Sequence, residues 1–425
     1  MQTVLVAGLG YVGLPTAALL ARAGYAVKGV DVDEALVSEL RSGQCRLEEP
    51  DVNALVETVL ANGTLSASLE PSEADVFIVC VPTPVRRDGT ANVDMVRAAA
   101  RAIAPHVKRG DLLILESTSP IGTTERVIGA ALRDVGLDPR ADVDVCYCPE
   151  RVFPGDTIRE IVENDRIIGG LTDRAAERAR DFYASFCRGE PVLTTAETAE
   201  FSKLMENTYR DVNIALANAF ARIAEETSAD VREVIRLANM HPRVNVHMPG
   251  AGVGGHCIPV DPKFLIEAFP EHTKLLEQAR EINDTQAIRM IDRAEAAGLQ
   301  RGSRVAILGA AYRADIDDAR DTPTEILIQD LSRRGYEWRT HDPLVVDFQP
   351  QTPGLDPNLS SDLDFVLDGA SAAFVMTGHS SYRSLGPGLF SRVMDGAMIV
   401  DGPAVLEGEP LSASRLRYLR VGRAS

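Results

Sequence analysis

The sequence predicts an α/β protein with two doubly wound units, one toward each end of the chain, joined by a central helical layer. Three observations predict it. Short apolar runs alternate with helical patterns through the first half, which yields a parallel sheet with helices on both faces. A long proline-free stretch with apolar residues at helical spacing follows from Ala196 to Ser228. The strand–helix alternation then resumes near Arg304.

In chain order, the expected strands of the first unit are Thr3 to Ala7, Ala26 to Val30, Val76 to Val81, Leu112 to Glu116 and Val143 to Cys148. Each is apolar along its length, as a strand covered on both faces should be. After the run from Ala196 to Ser228, a second helical run covers His272 to Ala297. The second unit opens with a strand from Arg304 to Gly309, a helix from Pro323 to Arg334 and a strand from Glu337 to His341. Ala372 to Thr377 and Met398 to Asp401 continue the pattern, and Pro353 to Ser361 is the expected surface loop. These features set expected domains at residues 1–195, 196–300 and 301–425.

The chain of 425 residues carries a net charge of −18. That argues against nucleic acid and against an anionic membrane surface as partners, since both require a basic face. No basic segment leads into an apolar stretch at the start, so no secretory signal is expected. No apolar run reaches the ~18 residues of a membrane span. None of the six cysteines forms a pair at the two-residue gap of a zinc or redox motif. Cys146 and Cys148 fall on one face of a strand and suit a buried core. A reducing cytoplasm and no bound metal are expected.

Gly8-Leu9-Gly10-Tyr11-Val12-Gly13 follows a strand and opens a helix, the context that gives this glycine pattern meaning. Gly8 permits the tight turn, Gly10 lets the backbone meet a pyrophosphate, and Gly13 allows close helix–sheet packing. The pyrophosphate would sit at the helix N-terminus. The second strand ends at Asp31, placed to bond a ribose hydroxyl. An acid there favours NAD over NADP, with Asp33 as a substitute lying beyond the strand end. The unit is therefore expected to be Rossmann-like and to bind NAD. The second unit keeps one glycine in Gly309-Ala310-Ala311-Tyr312, so it either holds a nucleotide differently or is structural.

The chemistry centres on Gly250-Ala251-Gly252-Val253-Gly254-Gly255-His256-Cys257, followed by Asp261. A thiol at the end of a glycine-rich loop is placed to attack a bound carbonyl once a cation lowers its pKa. Lys203 is a candidate cation. Lys203, Asn207 and Arg210 share one helix face. That face either holds an anionic or oxyanionic ligand or is a solvated polar surface. Two strands end at Glu116-Ser117-Thr118 and at Cys148-Pro149-Glu150, where ligands bind in open α/β sheets. Glu150 and Thr118 can hold a base and a water there; Thr118 could equally be a helix N-cap.

Together these motifs resemble the UDP-glucose/GDP-mannose dehydrogenase family of nucleotide-sugar 6-dehydrogenases over nearly the whole chain. The likeness runs from the first glycine motif through Val81-Pro82-Thr83-Pro84, Glu116-Ser117-Thr118 and the cysteine loop to Asp315-Ile316-Asp317-Asp318-Ala319-Arg320-Asp321. The resemblance implies oxidation of a UDP-sugar at C6 to the acid, with Cys257 carrying thiohemiacetal and thioester intermediates. It implies oxyanion stabilisation by Lys203 and Asn207, and proton handling by Asp261, Thr118 and Glu150. It assigns cofactor contacts to Tyr11, Val12, Asp31, Thr83, Thr118 and Arg320. It assigns the UDP-sugar to Arg151, Val152, Lys203, Asn207, Arg210, Gly254, Tyr312 and Arg313. His241 and Arg243 resemble residues that reach across from a neighbouring subunit, which implies a homodimer with shared sites; by itself His241 could be a surface helix-end histidine.

Within the family, Pro149 to Gly155, Arg210 to Ala215 and His241 to Asn245 are similar to the branch acting on UDP-N-acetyl-D-mannosamine. UDP-N-acetylglucosamine is the alternative sugar. UDP-glucose fits less, because its dehydrogenases carry a glutamate where Pro154 stands and a lysine where Val260 stands. Two positions depart from the family pattern. Arg313, a wider and planar donor, stands where relatives have a lysine, and Pro403 stands where relatives place a substrate-contacting lysine. A catalytically silent NAD-binding scaffold would have lost Cys257, Lys203, Asn207 or Asp261, and all four are present. A two-electron hydroxyacid dehydrogenase would need no cysteine there.

Overall fold

The computed structural model describes residues 2–424 apart from 46, 48, 87, 153–154, 395–397 and 407–415. Pro154 and its neighbour Phe153, used above to weigh the sugar, lie outside the described residues. Two compact units form: Met1–Glu206 with Lys263–Ala268, and Asn207–Pro262 with Phe269–Ser425.

The first unit contains β1 (Thr3–Ala7), β2 (Ala26–Val30), β3 (Leu65–Ser68), β4 (Val76–Val79), β5 (Leu112–Leu115), β6 (Asp144–Tyr147), β7 (Arg166–Gly170) and β8 (Pro191–Thr195). They lie side by side in the order β3-β2-β1-β4-β5-β6-β7-β8. The first six follow the doubly wound order, with the reversal beside β1. Both faces are covered: Val4, Val6, Ile78, Cys146 and Cys148 pack into one core, and Leu5, Phe77, Val79 and Tyr147 into another. The two cysteines are core residues, as their spacing predicts.

The sheet is not wholly parallel as expected. β7 runs antiparallel to β6, with Tyr147 opposite Gly169, and β8 pairs parallel to β7. The reversal brings the start of β7, Arg166, to the carboxyl end of β6. The sequence pattern misses β3, β7 and β8 for physical reasons. β3 is a short, half-polar Leu-Ser-Ala-Ser segment, and β8 is an exposed edge opening with proline.

The second unit contains β9 (Arg304–Leu308), β10 (Glu337–His341), β11 (Leu359–Ser360), β12 (Ala372–Val375), β13 (Met398–Asp401) and β14 (Arg417–Arg420). Their order is β11-β10-β9-β12-β13-β14, the same winding repeated. The expected surface loop from Pro353 to Ser361 contains β11, which pairs with Thr340 and His341; two residues are too few to leave a periodic signal. Trp338 on β10 leans on the core and its indole N–H donates to the Asp356 carbonyl at 3.2 Å. The helical run expected from His272 to Ala297 is two helices, Lys274–Asp284 and Gln286–Ala296. Between them the Thr285 hydroxyl donates to the Glu281 carbonyl at 2.6 Å, a local competitor for the backbone ladder.

Each sheet leaves its first strand of the winding by the same kind of turn. Gly8 has φ of 91° and Gly309 a φ of 102°. The Gly8 amide donates to Val30 and the Gly309 amide to His341, both at 2.8 Å. A Cβ on Gly8 would lie 2.7 Å from the Cys80 carbonyl oxygen, and one on Gly309 would lie 2.4 Å from Thr377 Cβ. In each unit an acid after the second strand closes the turn. Asp31 accepts from the Leu9 amide at 2.7 Å, and Asp342 accepts from the Ala310 and Ala311 amides at 2.7 and 3.0 Å.

Asp342 is buried and also accepts from the Leu344 and Val345 amides. His379 Nδ1 accepts from the Asp315 amide at 3.0 Å, so Nε2 carries the hydrogen and donates to Asp342 at 3.1 Å. Burial opposes the charge of Asp342, but these donors outweigh it and bring its pKa down from 3.8 to about 2. The stabilisation is therefore complete above the unfolded value and fades as pH falls through about 2. Its size is about 2 kcal/mol.

Two outcomes are expected. In urea unfolding, Asp342→Asn loses about 2 kcal/mol near neutral pH, and the gap from the parent protein narrows as pH drops below 3.8. Among the first-turn glycines, a Cβ at Gly13 would lie 1.9 Å from the Gly8 oxygen, whereas one at Gly10 meets nothing within 4 Å. Gly13→Ala therefore lowers thermal stability by about 3 kcal/mol, and Gly10→Ala changes it by less than about 1 kcal/mol.

Candidate active site

In the first unit the glycine turn has the geometry its sequence predicts. Gly8 makes the left-handed turn, Gly13 lies against the Gly8 carbonyl, and the space over Gly10 is open. The helix Gly13–Arg22 starts behind it with Val12 at its N-cap and no side chain capping it. The Leu14 amide donates to the Gly10 carbonyl at 3.1 Å and Pro15 has no N–H, so a pyrophosphate here would be drawn by the positive end of the helix and the open backbone over Gly10. Asp31 is half-buried at the end of β2. It holds the Leu9 amide through Oδ2 and the Asp33 amide through Oδ1. Asp33 caps the next helix through the Ala35 and Leu36 amides, so Asp31 is the acid directed at the turn. Thr83 and Thr118 meet: the Thr83 hydroxyl donates to the Thr118 carbonyl. Thr118 is no helix cap, since the next helical turn begins at Thr124. The residues present fit a dinucleotide.

Glu150 follows β6 and is half-buried, with its side chain covered and both oxygens engaged. Oε1 accepts from the Arg151 amide at 2.8 Å, and Oε2 accepts from Arg166 Nη2 at 2.9 Å. Arg166 is buried as well, stacks over the Tyr183 ring at 4.7 Å and approaches Cys148 and Cys187. Glu116, at the end of β5, accepts from the Tyr183 hydroxyl at 2.5 Å and from the Cys80 thiol at 3.1 Å. Burial raises the Glu116 pKa against the pull of Arg166, and the charge of Glu150 adds to the rise. Arg166 and Tyr183 escape sequence reasoning, because a lone arginine at a strand start and a tyrosine in a helix carry no motif. Arg151 forms an ion pair with Glu206 at 2.7 Å, and Val152 is half-buried beside it.

The 30-residue helix Ala196–Glu225 carries Lys203, Asn207 and Arg210. Lys203 and Asn207 are buried and Arg210 is half-buried, so this face is not the solvated surface that spacing alone left open. Within the second unit, Asn207 Nδ2 donates to Asp261 Oδ2 at 2.6 Å. Asp261 opens the helix Asp261–Ala268, and its amide donates to the Cys257 carbonyl at 2.9 Å. Cys257 is half-buried. One hydrogen-bonded turn and one side-chain bond thus fix the cysteine, the aspartate and the asparagine relative to each other.

The glycines before Cys257 serve the protein as well as any ligand. A Cβ at Gly255 would lie 2.8 Å from the Tyr312 ring, and one at Gly254 would lie 2.6 Å from the Asp321 carbonyl oxygen. Tyr312 therefore lies against the glycine loop. Burial lowers the pKa of Arg210 and its neighbour Arg313 adds to this, while negative charge at Cys257 acts in the opposite direction. Arg320 grips Asp318 with contacts of 2.6–3.0 Å, which raises its pKa against burial. Three arginines, at 210, 313 and 320, surround a thiol and a tyrosine. Such a setting suits an anionic, phosphate-bearing ligand. His241 and Arg243 stand apart from this cluster, exposed on the segment after the helix Val231–Ala238. The Arg243 amide donates to His241 Nδ1 at 3.3 Å. Pro403 offers its carbonyl to Arg232 at 2.7 Å.

Comparison with known proteins gives this geometry a family. Residues 2–187 match the NAD binding domain of the UDP-glucose/GDP-mannose dehydrogenase family, residues 197–285 its central domain, and residues 306–408 its UDP binding domain. The chain is 41% identical over 386 residues to a UDP-N-acetyl-D-mannosamine dehydrogenase of Methanocaldococcus jannaschii, covering 90% of this chain and 87% of that one. It is 44% identical over 338 residues to an NDP-N-acetyl-D-galactosaminuronic acid dehydrogenase of Ralstonia nicotianae, covering 78% and 80%. A solved UDP-D-ManNAc dehydrogenase from Pyrococcus horikoshii superimposes with a TM-score of 0.91 at 36% identity, covering 99% of both chains. Among the described residues, no helix is long and apolar enough to cross a membrane. An open glycine turn fit for NAD, a thiol among arginines and three matched domains lead to one conclusion: the chain belongs to the UDP-glucose/GDP-mannose dehydrogenase family and is an NAD-dependent UDP-sugar dehydrogenase.

Proposed function

We propose that the chain oxidises UDP-N-acetyl-D-mannosamine at C6 to UDP-N-acetyl-D-mannosaminuronate, with Cys257 holding the sugar between two oxidations. The observation that carries the chemistry is the Cys257–Asp261–Asn207 arrangement. The Asp261 backbone amide donates to the Cys257 carbonyl at 2.9 Å, and the Asn207 side chain donates to the Asp261 carboxylate at 2.6 Å. The sugar is supported by the M. jannaschii and P. horikoshii relatives.

When bound, NAD accepts one hydride from C6 in each oxidation. The chain's residues do the rest. The Cys257 sulfur adds to the C6 aldehyde, and the alcohol of the resulting thiohemiacetal is oxidised to a thioester. Lys203 and Asn207 stabilise the oxyanions at C6 by charge and a fixed donor. Asp261 takes and returns the proton at the C6 oxygen, through a water. Water then cleaves the thioester and releases the carboxylate and the thiol. Thr118 and Glu150 hold that water; with Arg166 on one oxygen, Glu150 acts as a fixed acceptor. The tether keeps a reactive aldehyde from escaping.

In this reading residues 1–195 bind NAD, 196–300 supply the catalytic helix and the dimer contact, and 301–425 bind the UDP group. Arg151, Val152, Arg210, Gly254, Tyr312 and Arg313 line the sugar nucleotide, and Arg320 faces the cofactor. His241 and Arg243 enter the site of a second copy in a cytoplasmic homodimer. Exposed Leu216, Phe220, Ile223, Leu237 and Met240 support an interface on this region. A second reading, an N-acetylgalactosamine-type substrate, is favoured by the Ralstonia relative.

Incubation with NAD and each UDP-sugar, with NADH counted per sugar consumed, tests the proposal. Two NADH are expected with UDP-N-acetyl-D-mannosamine; one NADH with free aldehyde would overturn the thioester route. Cys257→Ser is expected to stop acid formation while NAD still binds by calorimetry. Asn207→Ala should lower kcat by roughly 10²–10³, the usual loss for an oxyanion donor, with a smaller change in the KM for NAD.

A further inference from the structure

Glu49 lies between two helices of the first unit, just before the helix Pro50–Ala61. It is 9% exposed yet caps nothing in its own helix. Its carboxylate instead gathers four donors from two distant places. Tyr11 of the glycine turn donates its hydroxyl to Oε1. The Thr157 hydroxyl donates to the same oxygen at 2.6 Å, and the Gly155 amide at 3.1 Å. The Thr157 amide donates to Oε2 at 3.3 Å. Tyr11 and Thr157 also touch each other, hydroxyl to hydroxyl, at 2.6 Å. These donors outweigh burial and hold the Glu49 pKa below its ordinary value, so it is anionic at neutral pH.

Tyr11 belongs to the loop that opens over Gly10. Thr157 opens the helix Thr157–Glu163, and Asn164 just past the end of that helix donates its side-chain amide to the Arg151 carbonyl at 3.4 Å. A buried carboxylate that loses a donor on one side leaves the remaining donors poorly matched, and members of one network respond together. Movement of either loop is therefore felt by the other.

We propose that Glu49 is a positioning residue that couples the cofactor loop at Tyr11 to the loop of Arg151 and Val152, so that order in one favours binding at the other. The link to the sugar side rests on the proposed UDP-sugar function; the link to NAD does not. Binding coupling of this kind is reciprocal.

The test uses the intact protein and the variants Glu49→Gln, Tyr11→Phe and Thr157→Val. NAD dissociation constants come from calorimetry, and KM and kcat for UDP-N-acetyl-D-mannosamine from turnover. Glu49→Gln is expected to weaken NAD and raise the sugar KM by about tenfold each, with kcat within about twofold, as loss of a charge-assisted bond predicts. The cross effects are decisive. Thr157→Val should weaken NAD by about threefold, and Tyr11→Phe should raise the sugar KM by about threefold; both effects should vanish in the Glu49→Gln background. If the NAD constant of Thr157→Val equals the parent's, or if its effect simply adds to that of Glu49→Gln, the proposal is overturned. A folding defect would lower the melting temperature and kcat together without these cross effects, and that result also overturns it. If the parent protein turns over no UDP-sugar, the functional reading fails, while the calorimetric arm still decides the inference.

Discussion

A missing Cβ governs how both halves of this molecule begin. At Gly8 and at Gly309 the backbone turns out of the first strand against the neighbouring strand's exit, with less room than a methyl group needs. The left-handed conformation there points the following amides at one acid, Asp31 or Asp342. Everything downstream is oriented by that turn: the helix start over Gly10 in one unit, and the segment bearing Tyr312 and Arg313 in the other. The two units then differ in what fills the turn. The first leaves space above Gly10. The second uses Ala310 and Ala311, with Asp342 occupied by backbone amides and His379.

Much of this was legible in the sequence. Long apolar strands such as β1, β4 and β5 declare themselves because both faces are buried, and the glycine spacing declares the turn. The segments that stayed hidden are those whose structure depends on a distant partner. β11 exists only because β10 offers an edge, and the reversed β7 has no local cause. The candidate site divides in the same way. Cys257, Asp261 and Asn207 were legible because loop composition and helix spacing mark them. Glu49, Arg166, Tyr183 and His379 were not, since each acts through a contact far along the chain. The glycine loop is legible only in part: its composition suggests room for a ligand, whereas Gly254 and Gly255 also make room for Tyr312 and the Asp321 carbonyl.

Charge is handled by segregation. The chain has a net charge of −18, yet its candidate chemistry concerns an anionic nucleotide. Arginines 210, 313 and 320 gather near Cys257, while acids near the first sheet's strand ends are neutralised in place. One buried guanidinium, Arg166, serves the neighbourhood of two carboxylates, and burial favours a protonated Glu116. The other buried thiols are kept inert by the same desolvation, with Cys148 pushed up to about 12. Reactivity among the six sulfurs is thus set by surroundings rather than by residue type.

The indole on β10 has an optical consequence. Trp338 is the chain's one tryptophan, and its N–H is tied to the stretch leading into β11. Intrinsic emission excited at the red edge therefore watches the second sheet alone. Melting of the first sheet would pass unseen in that channel, so fluorescence and circular dichroism traces that fail to coincide would resolve the unfolding of each half without any added label.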